Sequence, residues 1–85
     1  MNIVEQFAQA VVDSKTLSAK PDNDTLLKLY SLYKQATEGD AAGDGPDNMF
    51  DFVGKAKFEA WQALQGKTKE EAMEEYVALV TTLKG

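Results

Sequence analysis

The sequence predicts an all-α protein of four helices, on three observations. Apolar residues recur at three- and four-residue steps in four separate stretches. Residues that start or stop helices stand at the ends of these stretches. No alternating β-branched run competes with them. At 85 residues, 44% of them hydrophobic, residues 1–85 are expected to form one small domain around one core.

The first helix covers residues 2–14, where Ile3, Val4, Phe7, Ala8, Ala10 and Val11 make one apolar stripe. Lys20-Pro21-Asp22 follows. Pro21 suits the position before a cap, and Asp22 can accept from the first free N–H groups of a second helix. That helix runs to Glu38 through Leu26, Leu27, Leu29, Tyr30, Leu32 and Tyr33, and Gly39 is a left-handed stop. The third starts near Asp51 and carries Ala56, Phe58, Ala60, Trp61 and Leu64 before Gly66. The fourth opens at Thr68 with Glu71 three residues on, a capping-box pattern. It continues through Ala72, Met73, Tyr76, Val77, Leu79, Val80 and Leu83.

The links at residues 17–21 and 66–67 are short, which favours antiparallel packing of the helices they join. The link at residues 39–52 is long and holds Gly39, Asp40, Gly43, Asp44, Gly45, Pro46 and Asp47. Loops of that length tend to be functional or disordered. This one is long enough to cross a bundle and let helices two and three run parallel.

Composition then narrows the chemistry. With no Cys there is no disulfide, thiol nucleophile or thiolate metal site, and with no His the commonest general base and transition-metal ligand are missing. Every basic residue is Lys, so no bidentate guanidinium clamp is available. A net charge of −5 disfavours non-specific nucleic-acid binding. No apolar run spans a bilayer, and Met1-Asn2-Ile3-Val4-Glu5 lacks a secretory pattern, so a soluble cytoplasmic protein is expected.

The chemistry-bearing residues concentrate in two runs. In Tyr30-Ser31-Leu32-Tyr33-Lys34-Gln35, two phenols and an ammonium share one helix face. In Val53-Gly54-Lys55-Ala56-Lys57-Phe58-Glu59-Ala60-Trp61, Lys57 and Trp61 are again four apart. Helix four adds Tyr76. These aromatics serve equally as half-buried packing with lysines reaching to water. Brought together, they would suit a ligand with phosphates and a flat base: ammonium and phenol donors for phosphate, π-faces for stacking.

The run 27–40, Leu-Lys-Leu-Tyr-Ser-Leu-Tyr-Lys-Gln-Ala-Thr-Glu-Gly-Asp, resembles the second-helix signature of the acyl-CoA-binding protein family. So does Phe52-Val53-Gly54-Lys55-Ala56-Lys57-Phe58-Glu59-Ala60-Trp61, followed by Gly66-Lys67-Thr68-Lys69-Glu70-Glu71-Ala72-Met73 and Tyr76. Phe7, Leu17 and Lys20-Pro21 match its layout, and the resemblance covers nearly the whole chain. It implies an up-down-down-up four-helix bundle with a long crossover between helices two and three. The implied activity is that of a non-enzymatic carrier and pool former for long-chain fatty acyl-CoA, with no cofactor.

By the same resemblance, Tyr30, Lys34, Lys57 and Tyr76 would hold the adenine and 3′-phosphate end of CoA, with Lys15 near the phosphates and Tyr33 lining the pocket. Leu27, Met49 and Phe50 are candidates for the acyl groove. Val53 stands where the family often has lysine, Phe58 where it has tryptophan, Leu32 where it has a polar residue and Val11 where it has a smaller one. The partners implied are the small-molecule ligand, transient contact with acyl-CoA-using enzymes, no nucleic acid and no membrane insertion, for a monomer.

Two other readings remain. Asp40, Asp44, Gly45 and Asn48 fit a calcium-loop pattern, but Ala42 and Asp51 break it, leaving a solvated acidic turn as the simpler account. Alternatively the bundle is a helical protein-interaction module with a groove for a partner helix. Glu70, Glu71, Glu74 and Glu75 read as the exposed face and favourable first turn of helix four.

Overall fold

The computed structural model describes residues 2–43, 45 and 50–85, and contains four α-helices: α1 (Ile3–Ser14), α2 (Asn23–Glu38), α3 (Phe52–Gln62) and α4 (Lys69–Lys84). Each starts where a side-chain oxygen can accept from an unpaired N–H of the first turn. Asn2 accepts from Glu5 N at 2.9 Å, Asp22 from Thr25 N at 2.8 Å and Asp51 from Gly54 N at 2.9 Å. Thr68 and Glu71 close the expected capping box, with both bonds at 3.1 Å. Thr68→Ala is expected to lower the stability by about 1 kcal/mol, read as a drop of about 4–8 °C in the thermal midpoint.

Gly39 stops α2 at φ 83°, a conformation that costs a side-chain-bearing residue but not glycine. The third helix ends sooner than its apolar pattern suggests: Leu64 lies in the turn 63–66, from which it packs against the core. Apolar character there serves tertiary packing rather than helix periodicity.

The core is made by three helices. Phe7 and Ala10 of α1, Leu29, Leu32 and Ala36 of α2, and Ala72, Tyr76 and Val80 of α4 are its buried members. None of the residues of α3 is buried. This helix packs only against α2, on the side away from the core, among the described residues.

Side-chain register sets the directions. Lys57 meets Tyr30 and Trp61 meets Lys34, so α3 runs parallel to α2, one turn matched by one turn. Gln35 bonds to the carbonyl of Lys67 while Lys28 shares a cleft with Leu79 and Thr82, so α4 runs antiparallel to α2. Phe7 packs on Tyr76 and Asp13 pairs with Lys84, so α1 runs parallel to α4. The order is up, down, down, up, as the resemblance implies.

The short links do not make the expected neighbours. Among the described residues α1 packs on α4 rather than backbone to backbone on α2, and α4 packs on α1 and α2 rather than on α3. A link limits how far apart two helix ends lie. Which faces meet is decided by complementary apolar surface, and the stripe of α1 finds Tyr76 and Val80 on α4.

The long crossover is pinned where it leaves α2. Buried Gln35 donates from Nε2 to Asp40 Oδ1 at 2.8 Å and to Lys67 O at 2.7 Å, and the same carboxylate oxygen accepts from Gly66 N at 2.9 Å. Trp61 Nε1 donates to Gly39 O at 2.8 Å. The start of the crossover is thereby tied to both ends of the α3–α4 segment, which sets α3 in register beside α2.

Candidate functional site

Of the cavities that α2 lines among the described residues, two hold expected site residues. The first, of about 290 Å³, has an apolar floor of Val11, Leu26 and Leu29. Its polar groups are Ser14, Lys15, Tyr30, Tyr33 and Tyr76. The hydroxyl of buried Tyr76 donates to Ser14 Oγ at 3.1 Å, and Ser14 in turn donates to Val11 O at 2.7 Å. The Tyr76 oxygen keeps its lone pairs, and Phe7 holds the ring edge-on at 5.1 Å. Phe7 also stacks on Tyr33 at 5.9 Å, so one ring of α1 positions phenols from two other helices. Lys15, exposed at the end of α1, stands at the rim.

The second is a trough of about 450 Å³ between α2 and α3. Asn23, Leu26 and Leu27 line it from one side and Phe52, Val53, Ala56 and Lys57 from the other. It exists because α3 lies beside α2 alone and leaves the gap between their first turns uncovered. Leu26 lines both spaces, so the trough and the phenol-lined cavity adjoin.

Lys57 stands at the junction. It lines the trough, and its ammonium lies 5.2 Å from the centre of the Tyr30 ring, a cation–π contact at the edge of the other cavity. One turn farther along both helices, the Lys34 ammonium lies 5.0 Å from the Trp61 ring and pairs with Glu38. The Glu38 carboxylate raises the Lys34 pKa above its ordinary value, burial opposes it, and the Tyr30 and Tyr33 phenols add to the rise. The lysine is therefore fully cationic at neutral pH.

The expected site residues gather on one side of the molecule, with differences in detail. Lys15, Tyr30, Tyr33 and Tyr76 share the first cavity, and Leu27 and Lys57 share the trough. Lys34 lines neither cavity and lies beside them. The four-residue spacings place Tyr30 and Lys34 on one face of α2, and Lys57 and Trp61 on one face of α3. The ammonium–ring contacts instead run between helices, because the parallel register sets position 57 against 30 and 61 against 34.

Phe50, a groove candidate, is 74% exposed and outside the trough lining; Met49 lies outside the described residues. Ser14, Leu26, Phe52, Val53 and Ala56 were not singled out for these roles. Phe52 and Val53 carry no sequence signal for this role, because their exposure at the start of a helix that buries none of its side chains is visible only in the folded protein.

The calcium-loop pattern is not supported. Asp40 is engaged by Gly66 and Gln35, which hold its carboxyl below the usual range, and Asp51 caps α3. Asp44 and Asn48 lie outside the described residues. Among the described residues no three carboxylates gather as a metal site, and no helix is long and apolar enough to cross a membrane.

Comparison with known proteins finds relatives along nearly the whole chain. A family model described as "Acyl CoA binding protein" matches residues 4–80. The chain is 51% identical over 77 residues to the acyl-CoA-binding protein homolog 1 of Caenorhabditis elegans, covering 91% of this chain and 88% of that one. It is 46% identical over 81 residues to the acyl-CoA-binding protein of Saccharomyces cerevisiae, covering 95% and 88%. The fold superposes on the crystal structure of Oryza sativa acyl-CoA-binding protein 2 with a TM-score of 0.89 and 39% identity, covering 96% of this chain and 90% of that one.

Proposed function

The chain belongs to the acyl-CoA-binding protein family, and from that premise we propose that it is a non-enzymatic carrier that pools long-chain fatty acyl-CoA in the cytoplasm. The observation that carries the reading is the meeting at Leu26 of a phenol-lined cavity and an apolar trough, with Lys57 between them. A ligand with a charged nucleotide at one end and a hydrocarbon chain at the other fits such a pair.

In this reading Tyr30, Tyr33, Tyr76, Lys15, Lys34 and Lys57 face the adenine and phosphates, and Leu27, Leu26, Phe52, Val53 and Ala56 shelter the chain. Burying a methylene contributes about 0.8 kcal/mol, so a dozen carbons give roughly 10 kcal/mol gross. Nanomolar affinity needs ~12 kcal/mol net after an association cost of about 4–15 kcal/mol, so chain burial supplies a large share of the gross and the head group must supply the rest. The acyl chain does not tell an acyl-CoA from a free fatty acid, so discrimination rests on the lysines and phenols. A protein of charge −5 repels an anionic head at long range, which makes local placement of these lysines decisive.

Thermal unfolding with ligand tests the reading. Palmitoyl-CoA in about hundredfold excess over its Kd is expected to add about 2.7 kcal/mol, moving the midpoint up by about 10 °C or more. CoA alone and palmitate alone are expected to move it far less. An equal shift with palmitate would assign the trough to fatty acids in general and remove the nucleotide role from the phenol-lined cavity.

A further inference from the structure

We propose that Glu38 is an internal competitor for the Lys34 ammonium and thereby sets how tightly the 3′-phosphate of the head group is held. The inference rests on the phosphate role proposed above for Lys34.

Glu38 is the last residue of α2, where the backbone carbonyls present the negative end of the helix dipole, and no basic residue occupies that last turn. A carboxylate there is locally unfavourable for the helix. Its partner is Lys34, one turn back, whose ammonium also lies over the Trp61 ring, 5.0 Å from its centre. The ammonium that would receive a phosphate is thus already engaged by an anion and a π-face.

A phosphate arriving at Lys34 meets one of two situations. It displaces Glu38, and the ion pair is lost. Otherwise it shares the ammonium with Glu38, and a dianion then lies beside a carboxylate. Both weaken phosphate binding, and neither affects the apolar trough. Glu38 is the more exposed partner, its side chain 53% accessible against 24% for Lys34, so it has room to swing into solvent when displaced. Its effect is to shorten the stay of phosphate-bearing ligands on a protein whose use requires that they be released.

Calorimetric titration of palmitoyl-CoA and of 3′-dephospho-palmitoyl-CoA into the parent protein, Glu38→Gln and Lys34→Ala tests this. Glu38→Gln keeps an amide of the same shape at an exposed helix end, and a thermal melt verifies its fold. It is expected to tighten palmitoyl-CoA about threefold to tenfold and to leave the dephospho ligand within about twofold. Lys34→Ala is expected to weaken palmitoyl-CoA. Unchanged or weaker palmitoyl-CoA binding by Glu38→Gln, with Lys34→Ala still weakened, would overturn the competitor role and leave the Lys34 reading standing. Equal tightening of both ligands would overturn the assignment to the 3′-phosphate. No effect of Lys34→Ala would remove Lys34 from the site, and this inference with it.

Discussion

Replacing Lys57 with alanine is expected to weaken palmitoyl-CoA binding by about 30-fold, or ~2 kcal/mol, while the melting temperature of the free protein falls by no more than about 8 °C. Among the described residues Lys57 is the one cation that lines the trough, and it also lies over Tyr30, which lines the adjoining cavity. Its ammonium is placed to bond a phosphate while the neighbouring phenol ring offers a stacking face. Removing it deletes a charge-assisted hydrogen bond and leaves that phosphate without its partner, a loss of ~1.5–3 kcal/mol. The fold loses only one cation–π contact of a half-buried side chain, worth about 0.5–1 kcal/mol. Calorimetry would check the affinity, and a loss smaller than threefold would place the phosphate elsewhere.

Leu32→Ala is expected to do the reverse, costing about 3 kcal/mol of stability through the cavity it leaves. Leu32 is 1% exposed on α2, in the core shared with α4 and α1, and the trough lies on the other side of the same helix. An 85-residue domain has a total stability of about 4–13 kcal/mol, so such a loss takes a large fraction of it. The midpoint should fall by more than about 10 °C, with the affinity of the remaining folded protein for palmitoyl-CoA nearly unchanged. A midpoint within about 2 °C of the parent would mean that the core closes over the gap.

These two substitutions mark what could be read from the sequence. Helix positions followed from local rules: Asp22, Gly39 and the Thr68–Glu71 box sit at helix ends for reasons contained within four residues. The length of the segment between α2 and α3 permitted their parallel course, and the family resemblance implied it. Neighbour relations did not follow. The short links suggested pairings that packing overrides, because α1 buries Phe7 and Ala10 against α4. The polar side of the site was legible through residue type, since phenols and lysines are few and carry specific chemistry. The apolar side was legible only at Leu27, because Leu26, Phe52, Val53 and Ala56 become a trough only once the register between α2 and α3 is known.

The packing of α1 has a consequence for synthesis. Tyr76, which lies 62 residues beyond its partner Ser14, is also the ring against which Phe7 rests. A chain emerging from the ribosome therefore shows the greasy stripe of α1 to its surroundings until α4 has been made. Its docking must await nearly the whole domain, although α2 and α3 can begin to associate before then.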